Sequence, residues 1–301
     1  MRPSLTKYAW LSVGAAALTF LIKLAAAYVS GSVGLLSDAL EAVVNLAAAT
    51  VALSVLKIVE QPPDEMHQYG HDKAEYFSSG IESTLIVVAS LSILYTAVKS
   101  LLDPQPLEQA GLGLALAIVA SVINLLVGQL LIRAGKNNDS ITLEANGRHL
   151  MSDVWTSVGV VAGVTLAVAT GQQWLDPLIA IVVGLKIGWE GIHVFRRSIS
   201  GLMDAAIVPD EREAVKAILD DVRTEGIEWH ALRTRQSGSR RFVDVHLLVP
   251  GDWSVQASHD LAEHVETQIR EQINYSTVMV HVEPFEDERS WQDQTLDGRN
   301  E

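Results

Sequence analysis

The run His149-Leu150-Met151-Ser152-Asp153, continued by a mostly apolar stretch to Thr170, decides how this chain is read. An imidazole and a carboxylate four residues apart lie on one face of a helix. Glu41 and Asn45 repeat that spacing inside a second apolar stretch, Val33 to Leu56. Ionisable groups at membrane depth are costly and normally face a partner, an aqueous cavity or an ion. Four ligand-type side chains on two such helices make a candidate cation site within a bilayer.

Composition divides the chain in two. Hydrophobic residues are 49% of the whole, yet the formal net charge is -14. Up to Phe195 the sequence is mostly Ala, Leu, Val, Ile and Gly; from Asp204 onward it is rich in Asp, Glu, Arg and His, with the patterning of a soluble domain. There is no cysteine, so disulfides and thiolate sites are excluded and any metal is held by imidazole, carboxylate, amide or water.

Crossing a hydrocarbon core takes roughly 20 helical residues. Runs of that length extend from Tyr8 to Val29, Val33 to Leu56, Ile81 to Leu102, Gly111 to Ile132, His149 to Thr170 and Trp174 to Phe195, predicting an all-α membrane bundle of six helices. Lys186 and Glu190 in the last are spaced to pair. Arg2, Lys7, Lys57, Lys73, Arg133, Lys136, Arg148, Arg196 and Arg197 fall on one side of a six-span path, with Lys99 the exception on the other. Positive charge marks the cytoplasmic side, so both termini are expected there. The first apolar run is longer than that of a cleaved signal peptide.

The soluble part is expected to be α+β. Asp210 to Val222 and Ser254 to Glu271 have helical periodicity, while Trp229 to Thr234, Arg241 to Val249 and Thr277 to Glu283 read as strands, with Gln236-Ser237-Gly238-Ser239 as a hairpin turn. Helix, strand, strand, helix, strand suits a small ferredoxin-like open-faced sandwich. The expected limits are 1–205 for the membrane domain and 206–287 for the soluble one, with a disordered tail over 288–301.

Two further clusters have metal-type chemistry. The loop from Gln61 to Glu75 offers Asp64, His67 and His71 within eight residues. In the soluble part stand His230, His246, His259 and His281, with Glu283 on the same strand face as His281. Each has an ordinary reading as well, a polar loop and surface histidines. Asn45 can equally be interhelical glue, and Lys23 can snorkel or pair with Asp38.

These motifs together resemble the cation diffusion facilitator family of bacterial divalent metal and proton antiporters. The resemblance rests on Gly31-Ser32-Val33 leading to Asp38 through Asn45, and on Gln61-Pro62 with His67-x-x-Gly70-His71-x-Lys73-Ala74-Glu75. It continues through His149 to Asp153, Leu202-Met203-Asp204 and Leu232 to Gly238, and covers nearly the whole chain.

The resemblance implies a homodimer in the bacterial inner membrane with a metallochaperone-like cytoplasmic domain, exporting zinc or iron in exchange for protons. By position it implies a transport site of Glu41, Asn45, His149 and Asp153 and a loop site of Asp64, His67 and His71. A cytoplasmic site would use His230, His246, His259, His281 and Glu283, and Lys73 with Asp204 would form a charge interlock. The chain departs from the family's usual residues at Glu41 and Asn45, and Glu283 stands where Asp is usual. An amide in place of a carboxylate removes one negative charge and adds a neutral oxygen, which makes a harder ion such as manganese or magnesium more acceptable; the alternative main ions are manganese, cobalt, cadmium and magnesium. The rival from another class is a membrane-anchored metal sensor. An enzyme is disfavoured by the lack of any nucleotide loop, nucleophile elbow or zinc-protease signature, and nucleic-acid binding by the acidity of the soluble part.

Overall fold

The computed structural model describes residues 4–30, 33–102, 111–172 and 174–292. The chain forms two compact units, 1–199 and 200–301.

The first unit is helical: α1 (Thr6–Ser30), α2 (Val33–Val59), α3 (Ala74–Leu102), α4 (Gly111–Asn137), α5 (Ile141–Thr170) and α6 (Leu175–Leu202). Among the described residues, four of these contain stretches long and apolar enough to cross a membrane, namely Thr6–Ala26, Ala74–Leu102, Ile118–Asn137 and Pro177–Leu202, while α2 holds a shorter apolar stretch, Asn45–Val59. Packing joins α1 with α2 and α4, α5 with α4, α3 and α2, and α2 with α3. In hydrocarbon there is little hydrophobic force between helices, so close approach depends on small residues. At the α4–α5 contact a Cβ on Gly147 would stand 2.7 Å from Ile132 Cγ1 and 2.8 Å from the Gly128 carbonyl oxygen. On α6, a Cβ on Gly188 would meet Ser90 Oγ of α3 at 2.6 Å.

Two helices start earlier than apolarity alone suggests. The fifth begins at Ile141 rather than His149, because Ser140 caps it by accepting from the Leu143 N–H. Glu75 of α3 adds its carboxylate at the same end, accepting from Ser140 Oγ at 2.5 Å and from the Thr142 N–H at 3.2 Å. Backbone donors at a helix start favour a negative group there. The early part of α3, from Ala74 to Ser83, is helical through a buried polar face that includes Glu75, Ser78, Ser79 and Glu82. Gly171 in the left-handed region ends α5. Near the other ends of α5 and α6, Glu144 is only 7% exposed and accepts from Arg148 and from Arg197. Lys186 approaches Glu190 at 4.0 Å and lies over the Trp155 ring at 3.4 Å. Lys23 is buried in α1.

In the second unit the order is α7 (Pro209–Asp221), β1 (Glu228–Ser237), β2 (Arg240–Val249), α8 (Val255–Gln272) and β3 (Ser276–Pro284). Pro209 opens α7 with Asp210 and Glu211 in its first turn, and Ser254 caps α8 through the Ala257 N–H. The sheet order is β1-β2-β3, β1 antiparallel and β3 parallel to β2. Alternation along the strands sends Val243, Val245 and Val278 into one core with Val215 and Leu219 of α7 and Val265 and Ile269 of α8. The opposite face of the sheet carries His246, His281 and Glu283 together with Phe242, Leu248 and Met279. After Pro284 the chain is ordered where the sequence suggested a tail: Glu288–Trp291 form a 3-10 turn, Trp291 Nε1 donating to the Phe285 carbonyl at 3.0 Å. The remainder of the expected tail, 293–301, lies outside the described residues.

Candidate metal centres

Three of the four side chains first singled out meet in the first unit. Asn45 of α2 and His149 and Asp153 of α5 are all buried, at 7 to 8% exposure. His149 Nε2 and Asn45 Oδ1 are 2.6 Å apart, and Asn45 Nδ2 donates to Asp153 Oδ2 at 2.5 Å. Because the Asn45 amide group gives its N–H to the carboxylate, its oxygen faces the imidazole and accepts from it. The arrangement therefore holds a proton on Nε2 of His149. Glu41 stands one turn before Asn45 on α2. Its side chain, like that of Asp38, lies outside the described residues.

A fourth member was missed from sequence. Asn124 of α4 is 2% exposed, and its Nδ2 donates to the same Asp153 oxygen at 3.3 Å. The signal was a lone amide within an apolar span, open to the same question as Asn45.

In the α2–α3 loop, Asp64 Oδ1 accepts from the backbone N–H of His67 at 2.6 Å and of Met66 at 2.9 Å, a turn that folds the loop back on its own carboxylate. The His67 backbone N–H, with further help from its side chain, holds the Asp64 carboxyl below the usual carboxylate range. His67 Nδ1 lies 3.1 Å and His71 Nε2 3.3 Å from the Asp64 oxygens. The two rings are 4.5 Å apart. One oxygen and two nitrogens thus converge from three residues, with atoms all within 4.8 Å of one another.

The third cluster lies on the sheet face turned away from the helices. His230, His246 and His281 occupy one row across the strands, His230 opposite His246 and His246 opposite His281. Their neighbouring rings are 5.1 Å and 5.0 Å apart. Glu283, two residues along β3 from His281, gathers them: its oxygens lie 2.9 Å from His230 Nε2, 3.3 Å from His246 Nδ1 and 3.5 Å from His281 Nε2. His230, His246 and Glu283 form the compact group, whereas His281 is 64% exposed and His259 sits exposed on α8 outside it.

A bulge makes this possible. The pairing steps from His230 opposite His246 to Arg233 opposite Asp244, three residues on β1 against two on β2. Ala231 carries the extra residue at φ 50°.

Asp204, at φ 57°, approaches Arg235 at 3.7 Å. Lys73 belongs to the first unit and Asp204 to the second.

Known proteins resemble this chain along nearly its whole length. The family model described as the cation efflux transmembrane domain matches residues 9–203, and that of the cation efflux protein cytoplasmic domain matches 207–285. An uncharacterized transporter of Synechocystis sp. is 52% identical over 285 residues, 95% of this chain and 92% of that protein. The cation-efflux pump FieF of Shewanella oneidensis is 30% identical over 282 residues, 93% of this chain and 94% of its own. A solved structure of CzrB in its zinc form is 35% identical, covering 28% of this chain and 94% of that one with a TM-score of 0.26.

Proposed function

Because the chain belongs to the cation diffusion facilitator family, and so is an integral membrane protein for metal cation efflux with a cytoplasmic metal-binding domain, we propose that it exchanges a divalent ion for protons by alternating access. All six helices of the first unit cross the inner membrane of a bacterium in this reading, with both termini in the cytoplasm. The ion sheds water onto Glu41, Asn45, His149 and Asp153, the helices rearrange, and it leaves on the far side.

The observation that carries the proposal is the buried chain from His149 through Asn45 to Asp153. These buried polar groups lean on one another, an arrangement suited to exchange for a cation. It also supplies the coupling. His149 Nε2 must give up its proton before it can ligate metal, so proton and ion compete for one atom. Imidazole with carboxylate and amide oxygens suits zinc or iron first, and the amides keep manganese within range.

The loop group of Asp64, His67 and His71 acts in this scheme as a further ion site. The cytoplasmic group of His230, His246, His281 and Glu283 acts as a regulator. Metal there draws two copies of the chain together, and the change reaches the membrane domain through Lys73 and Asp204. Such regulation requires two states that metal distinguishes.

Uptake into proteoliposomes tests the whole. Zinc, iron or manganese uptake accelerated by an imposed pH gradient, and abolished by Asp153→Ala, is expected. Transport indifferent to both manipulations would overturn the proposal, and zinc binding without transport would favour a membrane-anchored sensor.

A further inference from the structure

We propose that Asn124 of α4 is a ligand to the transported ion, giving the site a third helix and a second amide oxygen; this rests on the transport reading above. Asn124 is buried to 2% exposure within an apolar span. Its Nδ2 reaches Asp153 Oδ2 at 3.3 Å, the oxygen that also accepts from Asn45.

Its other end makes the case. Asn124 Oδ1 is buried with no hydrogen-bond partner among the described residues. An orphaned buried acceptor costs about 1–3 kcal/mol, and a leucine, branched at the same carbon, would spare that cost. Turning the amide over does not help, because Oδ1 would then face the Asp153 carboxylate, acceptor against acceptor. The carboxylate thus fixes which way Asn124 points and leaves its oxygen unpaired beside the candidate site.

A divalent cation is the partner that an unpaired amide oxygen next to a carboxylate accepts. The two amides differ in readiness. Asn45 is engaged at both ends, with His149 and with Asp153, and must break a bond to ligate. Asn124 already has its oxygen uncommitted. With Asp153 it forms a pair of oxygen donors on α5 and α4, to which Asn45 and His149 add from α2 and α5. Two amide oxygens weight the site toward harder ions than a set of carboxylates and imidazole alone, so Asn124 helps set which metal is carried.

The test is competitive uptake of zinc, manganese, cobalt, cadmium and magnesium into proteoliposomes holding the full chain, its Asn124→Leu and Asn124→Asp variants, and Asp153→Ala. Asn124→Leu is expected to weaken half-saturation by about 10–100-fold, the scale of losses at metal-site residues. Asn124→Asp is expected to restore affinity and change the order of preference among the ions. Variants that elute and melt as wild type but keep its affinity and preference overturn the inference. So does a uniform loss in Asn124→Leu that Asn124→Asp repairs with the preference unchanged, since Asn124 would then only position Asp153. Retained uptake in Asp153→Ala would instead sink the transport reading itself.

Discussion

His149 Nε2 and Asn45 Oδ1 lie 2.6 Å apart across the α2–α5 contact, so the proton on the imidazole and the orientation of the amide are fixed together. The amide must then present its N–H to Asp153, which it does. A carboxylate at position 45 is unable to play both parts.

Asn45→Asp therefore places two carboxylates face to face, and without an ion a shared proton must bridge them. Ion binding must displace it. Uptake is expected to become more steeply dependent on pH than in the wild type, with the larger loss on the acid side. Initial rates between pH about 6 and about 8 measure this, and a profile parallel to the wild type contradicts it.

Gly147→Leu is expected to separate α4 from α5. Even its first carbon would stand 2.7 Å from Ile132 Cγ1 and 2.8 Å from a backbone oxygen that has no freedom to swing away. Overpacking of this kind costs about 1–3 kcal/mol or more, and His149 follows two residues later on the same helix. A lowered melting temperature in detergent, together with weakened transport, is the expected result.

Ala231→Gly makes the opposite kind of change. Alanine at φ 50° bears a left-handed penalty of about 1–2 kcal/mol that glycine does not. Unfolding of the second unit is expected to shift to higher temperature, with part of the gain offset by the greater freedom of glycine in the unfolded chain. Metal affinity of the His230, His246 and Glu283 group should stay the same.

At the loop site, the charge on Asp64 should persist into acid. The Asp64 carboxyl is held below its ordinary range, so it remains ionised as pH falls past the point where a free carboxylate would begin to protonate. Its contribution, present at neutral pH, is lost only on deeper acidification. Titration of metal binding in a variant with the cytoplasmic histidines replaced measures this: Asp64→Asn should lower affinity by the same factor from pH about 7 down to about 4, and a factor that shrinks toward the acid end contradicts it.

Sequence periodicity was sufficient for the order of elements in the second unit, because its strands alternate and its helices carry recognisable starts at Pro209 and Ser254. It was insufficient for β1. A strand of strict period two sends His230 and Arg233 to opposite faces, and only the bulge at Ala231 turns them to the same one. In the first unit, spacing of four brought His149 and Asp153 together, and helix pairing added Asn45. Asn124 escaped because a single amide has no spacing to betray it. The buried start of α3 escaped for a related reason: Glu75 is at home there through the backbone and hydroxyl donors of Ser140 and Thr142, which lie far away in sequence.

The row of histidines across β1, β2 and β3 has one more consequence. Neighbouring strands lie about 4.8 Å apart, so the gauge of the imidazole array is the pitch of the sheet itself. A slip of one residue in any strand would carry its histidine through to the helix side. A cation held by His230, His246 and Glu283 would accordingly proofread strand pairing, rewarding the one register in which these groups meet.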